Sequence, residues 1–180
     1  MIADIRDIRR HSFTASDRLL LDANVWLSVY GPADMQDTRT SIYSAALRRM
    51  LDAKSQVFLD AFILSEFVNR FAHFEYDRAR IGGEATDFKS FRDSPAFEDV
   101  AAEIAISATK ILNMSIRCQW AFISANVGNL LADFARTRSD FNDLVLASVC
   151  REEGLTLVTH DADFKWAGFP ILTAHPRLLR

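Results

Sequence analysis

The sequence is poor in the residues that make turns. Of its 180 residues, only six are glycine and four are proline, roughly half of the usual share of about 12 per cent. This shortage argues against an all-β sandwich and favours long helices joined by few loops. The two cysteines, Cys118 and Cys150, are too few for a disulfide framework, and we interpret both as reduced core residues.

The sequence also lacks long apolar runs and a strong charge of one sign. No run approaches the ~20 apolar residues that span a bilayer, and the first residues mix charged and apolar side chains, so we expect no signal peptide and a cytoplasmic protein without membrane contact. The net charge of −3 excludes a polycation. A content of 49% hydrophobic and 25% charged residues is typical of a soluble domain with one core.

The apolar pattern predicts alternating strands and helices. Residues 1–17 are polar and are predicted to form an irregular N-terminal arm, and residues 18–180 a single domain. Short apolar runs predict strands at 18–22, 56–59, 115–122, 156–159 and 171–172. Helical patterns cover 25–30, 40–54, 61–80, 86–114 (as a pair), 126–136 and 140–153. The sequence therefore predicts a three-layer α/β domain with a mainly parallel central sheet.

Two helices carry informative faces. In 40–54 the apolar positions form a stripe of Ile42, Ala45, Ala46 and Met50. In 61–80 one apolar line consists of Ile63, Phe67, Phe71 and Phe74, which predicts a core face. A polar line lies beside it, made of Glu66, Asn69, Arg70 and His73. This second line predicts either a solvated face or the wall of a cleft.

Acidic residues recur where predicted strands and helices meet. Asp22 directly follows one buried strand and Asp161 lies just beyond another, so both belong at the carboxyl edge of the sheet, where sites form. Asp140 and Asp143 share the first turn of a helix. Capping explains Asp140, whereas Asp143 heads an apolar stretch in which an unpaired acid is costly. Converging carboxylates without cysteine or histidine at metal spacing favour Mg²⁺ or Mn²⁺, and two such ions suit phosphodiester cleavage.

Four blocks of sequence carry a resemblance to a known family. They are Leu20-Leu21-Asp22-Ala23-Asn24-Val25-Trp26, Ser65-Glu66-Phe67, Asp140-Phe141-Asn142-Asp143 and Leu157-Val158-Thr159-His160-Asp161-Ala162-Asp163-Phe164. In this order the chain resembles the PIN-domain nucleases, including the VapC-type toxin ribonucleases, from about residue 18 to 173. It is longer than typical toxins of the family, with extra helices at about 75–114.

The resemblance implies a metal-dependent endoribonuclease with an acidic site of Asp22, Glu66, Asp143 and Asp161. Asp22 and Asp143 would be the principal ligands of one or two Mg²⁺ or Mn²⁺ ions, and Asp161 would complete the site. Glu66 would hold a metal-bound water or act as base. Asp140 and Asp163 are candidates for additional ligands. Asn24 and Thr159 match positions that orient the carboxylates by hydrogen bonding.

The charge balance is consistent with RNA as the substrate. Without Asp22, Glu66 and the acids at 140, 143 and 161, 19 acidic residues face 21 basic ones, which leaves +2. The candidate phosphate contacts are Arg70, His73, Arg136, Arg138 and Lys165, each of which also has the ordinary interpretation of a solvated side chain. His160 beside Asp161 is interpreted as a strand-end histidine without a catalytic role. His175 has no other candidate site residue at a spacing typical of a catalytic or metal site.

Two alternatives remain. A haloacid-dehalogenase-type phosphatase also places an aspartate after its first strand, but it needs a second acid where this chain has Asn24. A catalytically silent PIN fold that binds RNA or serves as a scaffold is the stronger rival, although none of the four acids is missing. The family resemblance further implies a homodimer and the possibility of a cognate antitoxin.

Overall fold

A computed structural model describes residues 4–35, 37–118, 126–137, 140–166 and 168–180. The strands are β1 (Ile5–Asp7), β2 (Arg18–Leu21), β3 (Gln56–Leu59), β4 (Ile116–Arg117), β5 (Thr156–Val158) and β6 (Ile171–Thr173). The helices are α1 (Ala23–Tyr30), α2 (Thr38–Asp52), α3 (Ala61–Ile81), α4 (Phe88–Arg92), α5 (Ala96–Met114), α6 (Val127–Thr137) and α7 (Phe141–Glu153). Within the described residues, no helix is both long and apolar enough to cross a membrane.

The six strands form one sheet in the order β1-β6-β5-β2-β3-β4, with every pairing parallel. The central strand β2 pairs with β3 through Leu20 opposite Phe58, and with β5 through Leu20 opposite Leu157. All three of these side chains are buried, because helices cover both faces of a parallel sheet. The predicted three-layer α/β fold is confirmed, and the acids that follow β2 and β5 lie on adjacent strands.

The N-terminal segment, predicted as an irregular arm, contains a short strand that the sequence analysis does not predict. Residues 5–7 form β1, which pairs with β6 and extends the sheet by one edge strand. The following loop is fixed by Arg49 of α2, whose guanidinium donates to the carbonyl oxygens of Ile8 and His11. β1 was not predicted because a three-residue edge strand with one exposed residue has no apolar run to reveal it.

The long helices bury the lines that periodicity predicts, with one correction. Phe67 and Phe71 of α3 are fully buried, and the apolar centre of α7 lies deep in the core. In α2, however, the buried stripe is Tyr43, Ala46, Leu47 and Met50. Ala45, which belongs to the predicted stripe, is exposed. Ala46 and Met50 are buried as the predicted stripe requires, whereas Tyr43 and Leu47 take the places given to Ile42 and Ala45.

The extra helical region is a continuation of α3 followed by α4 and α5. The tyrosine at 76 in α3 contacts the rings of Phe88 and Phe91 in α4, and Phe91 in turn contacts Phe97 in α5. These aromatic contacts attach the additional helices to α3. The strand predicted at 115–122 is reduced to β4, and residues 119–122 of that prediction lie outside the described residues.

Candidate metal-dependent active site

The carboxyl edge of the sheet brings the first two acids together. Asp22 follows β2 immediately, and its backbone N–H donates to the carbonyl oxygen of Val158 at the end of β5. Asp22 is also the residue before α1, but its side chain makes no capping hydrogen bond to that helix. The carboxylate is therefore directed by the ends of two neighbouring strands, with Asp161 three residues beyond Val158.

Asp22 is a buried carboxylate, with only 5% of its surface exposed. Its Oδ2 accepts hydrogen bonds from the Asn24 amide and from the Thr159 hydroxyl, the latter at 2.7 Å. Burial raises the pKa of Asp22 from its usual 3.8 to about 6, and the charges of Glu66 and Asp161 add to the rise. The Thr159 hydrogen bond opposes the rise, because it stabilises the ionised form.

Asn24 and Thr159 form a hydrogen-bonded bridge between the two strand ends. The Asn24 amide also donates to Thr159 Oγ1 at 3.2 Å, and Asn24 Oδ1 accepts from the backbone N–H of His160 at 2.9 Å. Thr159 Oγ1 accepts in turn from the backbone N–H of Asp161 at 3.0 Å. These contacts fix the orientation of Asp22 and of the chain around Asp161. Their functional role stays a prediction.

Asp143 reaches the same edge from the first turn of α7. Asp140 caps this helix by accepting from the backbone N–H of Asn142 at 2.8 Å. The pKa of Asp143 is raised from 3.8 to about 7, first by burial and then by the charges of Asp140, Asp161, Asp22 and Glu66, in that order. Asp143 therefore interacts electrostatically with every other predicted site acid.

Glu66 and Asp161 complete the acidic group and have partners of their own. Glu66 of α3 accepts from the guanidinium of Arg70 at 3.1 Å, one turn later. Asp161 Oδ1 accepts from the backbone N–H of Asp163 at 2.9 Å. The Asp163 side chain is exposed. Arg70 supplies a positive charge beside Glu66, and it also lines a small depression beside Asn24.

The donor chemistry of this site fits a hydrated divalent ion. Its side chains offer oxygen atoms, and the mutual repulsion that raises the pKa of Asp143 is the charge pattern that a divalent cation relieves. Within the described ranges, no three acidic, histidine or cysteine side chains are close enough to hold a metal ion by themselves. Oxygen donors are the ligands that Mg²⁺ takes, commonly through one or two carboxylates and several waters.

A family model for the PIN domain matches residues 19–170, most of the chain, and this match includes all four acids. The chain belongs to the PIN-domain family. Members of this family are generally metal-dependent nucleases. Membership therefore assigns this PIN domain a nuclease-type function, without a specific substrate.

Two solved structures resemble this PIN domain. The crystal structure of PAE2754 from Pyrobaculum aerophilum is 15% identical with a TM-score of 0.51, covering 92% of this chain and 95% of that chain. The structure of FitAB bound to an IR36 DNA fragment is 15% identical with a TM-score of 0.49, covering 86% of this chain and 94% of that chain. At this identity the first likeness shows the fold alone. In the comparison with curated proteins, no relative matches this PIN domain.

The predicted phosphate contacts of the PIN domain are dispersed. Arg70 lies beside Glu66, whereas the His73 ring stacks on Phe88 of α4, with 3.9 Å between ring centroids. Arg136 of α6 is exposed and pairs with Asp133 at 2.7 Å. Arg138 lies outside the described residues, as does the side chain of Lys165. Of the five, only Arg70 has a described contact with a predicted site acid.

Sequence reasoning missed a group of rings next to the acids. The Tyr43 hydroxyl of α2 lies 2.9 Å from His160 Nδ1, and the His160 ring contacts the His175 ring at 4.8 Å between centroids. Positions so far apart in sequence give no spacing signal. The buried helical line through Tyr43 in α2 could have placed the tyrosine in the core, but not beside this PIN domain's acids.

Proposed function

We propose that this protein is a divalent-metal-dependent endoribonuclease that hydrolyses phosphodiester bonds of RNA, with Asp22, Glu66, Asp143 and Asp161 as its acidic site. The observation that supports the proposal is the electrostatic coupling of these acids: burial raises the pKa of Asp143, and the charges of Asp140 and of the other three site acids add to the rise. Four carboxylates brought to one edge of a sheet destabilise the protein by repulsion. This arrangement is what a site for divalent cations requires.

Mg²⁺ or Mn²⁺, as one or two ions, would be held by Asp22, Asp143 and Asp161 together with water molecules, and Glu66, Asp140 and Asp163 are the candidates for additional oxygen donors. When bound, the metal supplies an activated water and stabilises negative charge on the phosphate and on the leaving oxygen. Oxygen donors on a site without cysteine favour these hard ions over Zn²⁺.

The chain's own side chains perform the remaining tasks. Asn24 and Thr159 hold Asp22 Oδ2, so that the carboxylate is oriented before substrate arrives. Glu66 is partly exposed and can accept a proton from the attacking water, while Arg70, paired to it at 3.1 Å, can donate to a phosphate oxygen. Of the predicted phosphate contacts, Arg70 is therefore the one that we assign to RNA binding.

A toxin role, a cognate antitoxin and a homodimer are parts of this proposal that rest mainly on the family resemblance. The structure offers some support for self-association, because Leu131 and Phe134 of α6 are 53% and 46% exposed. Neighbouring apolar side chains on one helix favour a protein contact. Sedimentation of the purified protein at rising concentration tests the dimer, and a strict monomer contradicts it.

Cleavage of a labelled, structured RNA tests the nuclease. The purified protein is incubated with RNA in Mn²⁺ and in EDTA, beside Asp22→Asn and the control Asp52→Asn. Asp52 is exposed at the end of α2, which leads into β3 at the opposite edge of the sheet. We expect metal-dependent cleavage by the wild type and the control, and loss of about a thousandfold or more in Asp22→Asn.

The other outcomes separate the alternatives. Equal cleavage by Asp22→Asn and the wild type points to a contaminating ribonuclease and contradicts the assignment of Asp22. Absence of cleavage by any preparation, together with RNA binding that survives Asp143→Asn, favours the catalytically silent RNA-binding protein.

A further inference from the structure

A second cavity opens beside the acidic site, on the β6 side of the sheet. It has a volume of about 610 Å³ and lies between the start of α2, the end of β5 and the segment after β6. We call it the histidine pocket, because His160 and His175 line it together with Arg39, Ile42, Ala174 and Pro176. His160 stands directly between Thr159 and Asp161 in the chain, so the pocket adjoins the acidic site.

Both imidazole rings are held by hydrogen bonds to the fold. His160 Nδ1 lies 2.9 Å from the hydroxyl of Tyr43, a buried side chain that also accepts from the backbone N–H of Ala174 at 3.2 Å. His175 Nδ1 accepts from the backbone N–H of Arg177 at 3.1 Å. This bond requires an unprotonated Nδ1, so the proton of the neutral ring is on Nε2. The rings are therefore oriented before any ligand arrives.

The remaining ring atoms are available for a ligand. Within the part of the chain that the structure describes, Nε2 of neither histidine has a hydrogen-bond partner. The rings meet edge-on at an angle of 61°. They thus offer two aromatic surfaces and two nitrogen atoms to one partly enclosed space. The buried Tyr43 holds the His160 ring in one orientation. The conformational entropy of that ring is therefore lost on folding, and a ligand that stacks on it does not have to order it again.

Arg39 connects this pocket to the acidic site. Its side chain lines the histidine pocket and also the small depression shared by Asn24 and Arg70. Arg39 pairs through Nε with the exposed Asp37 at 2.6 Å. An exposed ion pair of this kind is weak, and the two terminal amino groups of the guanidinium remain as donors for phosphate. A polynucleotide that contacts Arg70 and Arg39 is directed towards the histidines.

We propose that the histidine pocket binds one unpaired nucleotide of the RNA substrate, adjacent to the phosphodiester at the acidic site, with its base against His160 and His175 and its phosphate on Arg39. This inference rests on the proposed function for the identity of the substrate. Aromatic rings stack on any base whose face is free, and a base in a duplex has no free face. The pocket therefore selects single-stranded RNA.

Substitution of His175 tests the pocket without touching the acids. We compare wild type, His175→Ala, His175→Phe, which keeps a ring face, and the control His11→Ala. His11 contacts Asp17 just before β2, at the opposite edge of the sheet. Binding of fluorescently labelled single-stranded and duplex RNA is measured by anisotropy in EDTA, so that no cleavage intervenes. Thermal melting of each variant verifies folding.

We expect His175→Ala to weaken single-stranded binding about tenfold, in keeping with the loss of one stacked base. Duplex binding should stay within twofold of wild type. His175→Phe should recover most of the single-strand affinity, and His11→Ala should match wild type. In Mn²⁺, the same loss should appear as a higher KM for single-stranded RNA with kcat nearly unchanged.

The result distinguishes this inference from the nuclease proposal. If folded His175→Ala binds single-stranded RNA as wild type does, or loses single-stranded and duplex binding alike, the pocket assignment is overturned even when RNA is cleaved. If no preparation cleaves RNA but single-strand binding depends on His175 as expected, the pocket stands and the nuclease fails. A wild type that binds no RNA overturns both.

Discussion

Replacing Asp143 with asparagine is expected to stabilise the metal-free protein at neutral and alkaline pH. The folded-state pKa of Asp143 is raised to about 7 from the usual 3.8, so the folded protein holds a proton that the unfolded chain has released. Stability therefore falls as pH rises from about 4 to 7, and the whole loss is present above the folded pKa. Asparagine is close in shape and carries no charge, so it removes this loss.

The expected gain follows from the size of the pKa change. A tenfold change in proton affinity corresponds to about 1.4 kcal/mol, so the interval from 3.8 to about 7 gives an upper limit of about 4 kcal/mol. Asp143 is only partly buried, and solvent screening reduces the value to about 2 kcal/mol. For a domain of this size, such a gain raises Tm by about 4–8 °C.

Thermal unfolding in EDTA at pH 5 and pH 8 measures the effect, with Asp52→Asn as the control for loss of an exposed charge. The Tm advantage of Asp143→Asn should be fully present at pH 8 and less than half as large at pH 5. Added Mn²⁺ should raise the Tm of wild type more than that of Asp143→Asn, because the variant lacks a proposed ligand and a ligand that prefers the folded state raises Tm according to its affinity. An Asp143→Asn protein that melts at or below the wild-type temperature at pH 8 refutes the electrostatic reasoning.

Three further predictions concern the supporting structure. Thr159→Val should lower cleavage about ten- to a hundredfold in kcat/KM by releasing Asp22 Oδ2, and unchanged steady-state kinetics would contradict this. Tyr43→Phe should cost about 1–3 kcal/mol of unfolding free energy in urea, because a buried hydroxyl that joins β5, β6 and α2 is lost; a cost near zero would argue against that junction. Gly31→Ala should lower Tm, since its new Cβ would lie 2.3 Å from a carbonyl oxygen of α1, whereas Gly82→Ala, with 3.5 Å of space, should not; equal Tm values would show that the α1 terminus adapts freely.

The sequence predicted the elements that depend on local pattern. The unbroken apolar run before Asp22 and the apolar line through Phe67 and Phe71 predicted a central strand and a core helix, and both are present. The strand at residues 5–7 was not predicted, because β1 is a short edge strand that pairs with β6 and contains no apolar run. In α2 the prediction found Ala46 and Met50 but missed Tyr43 and Leu47, since periodicity alone does not fix a helix's rotation when apolar residues flank both faces.

The sequence by itself determined which acids stand at strand and helix ends, because chain order and parallel topology send those ends to one edge. Only the tertiary structure decided what surrounds them. The burial of Asp22, the partners at its Oδ2 and the raised pKa of Asp143 depend on residues far apart in the chain. The same holds for the contacts among positions 43, 160 and 175. Electrostatic and hydrogen-bond energies depend on distance in space and on solvent access, neither of which a linear pattern encodes.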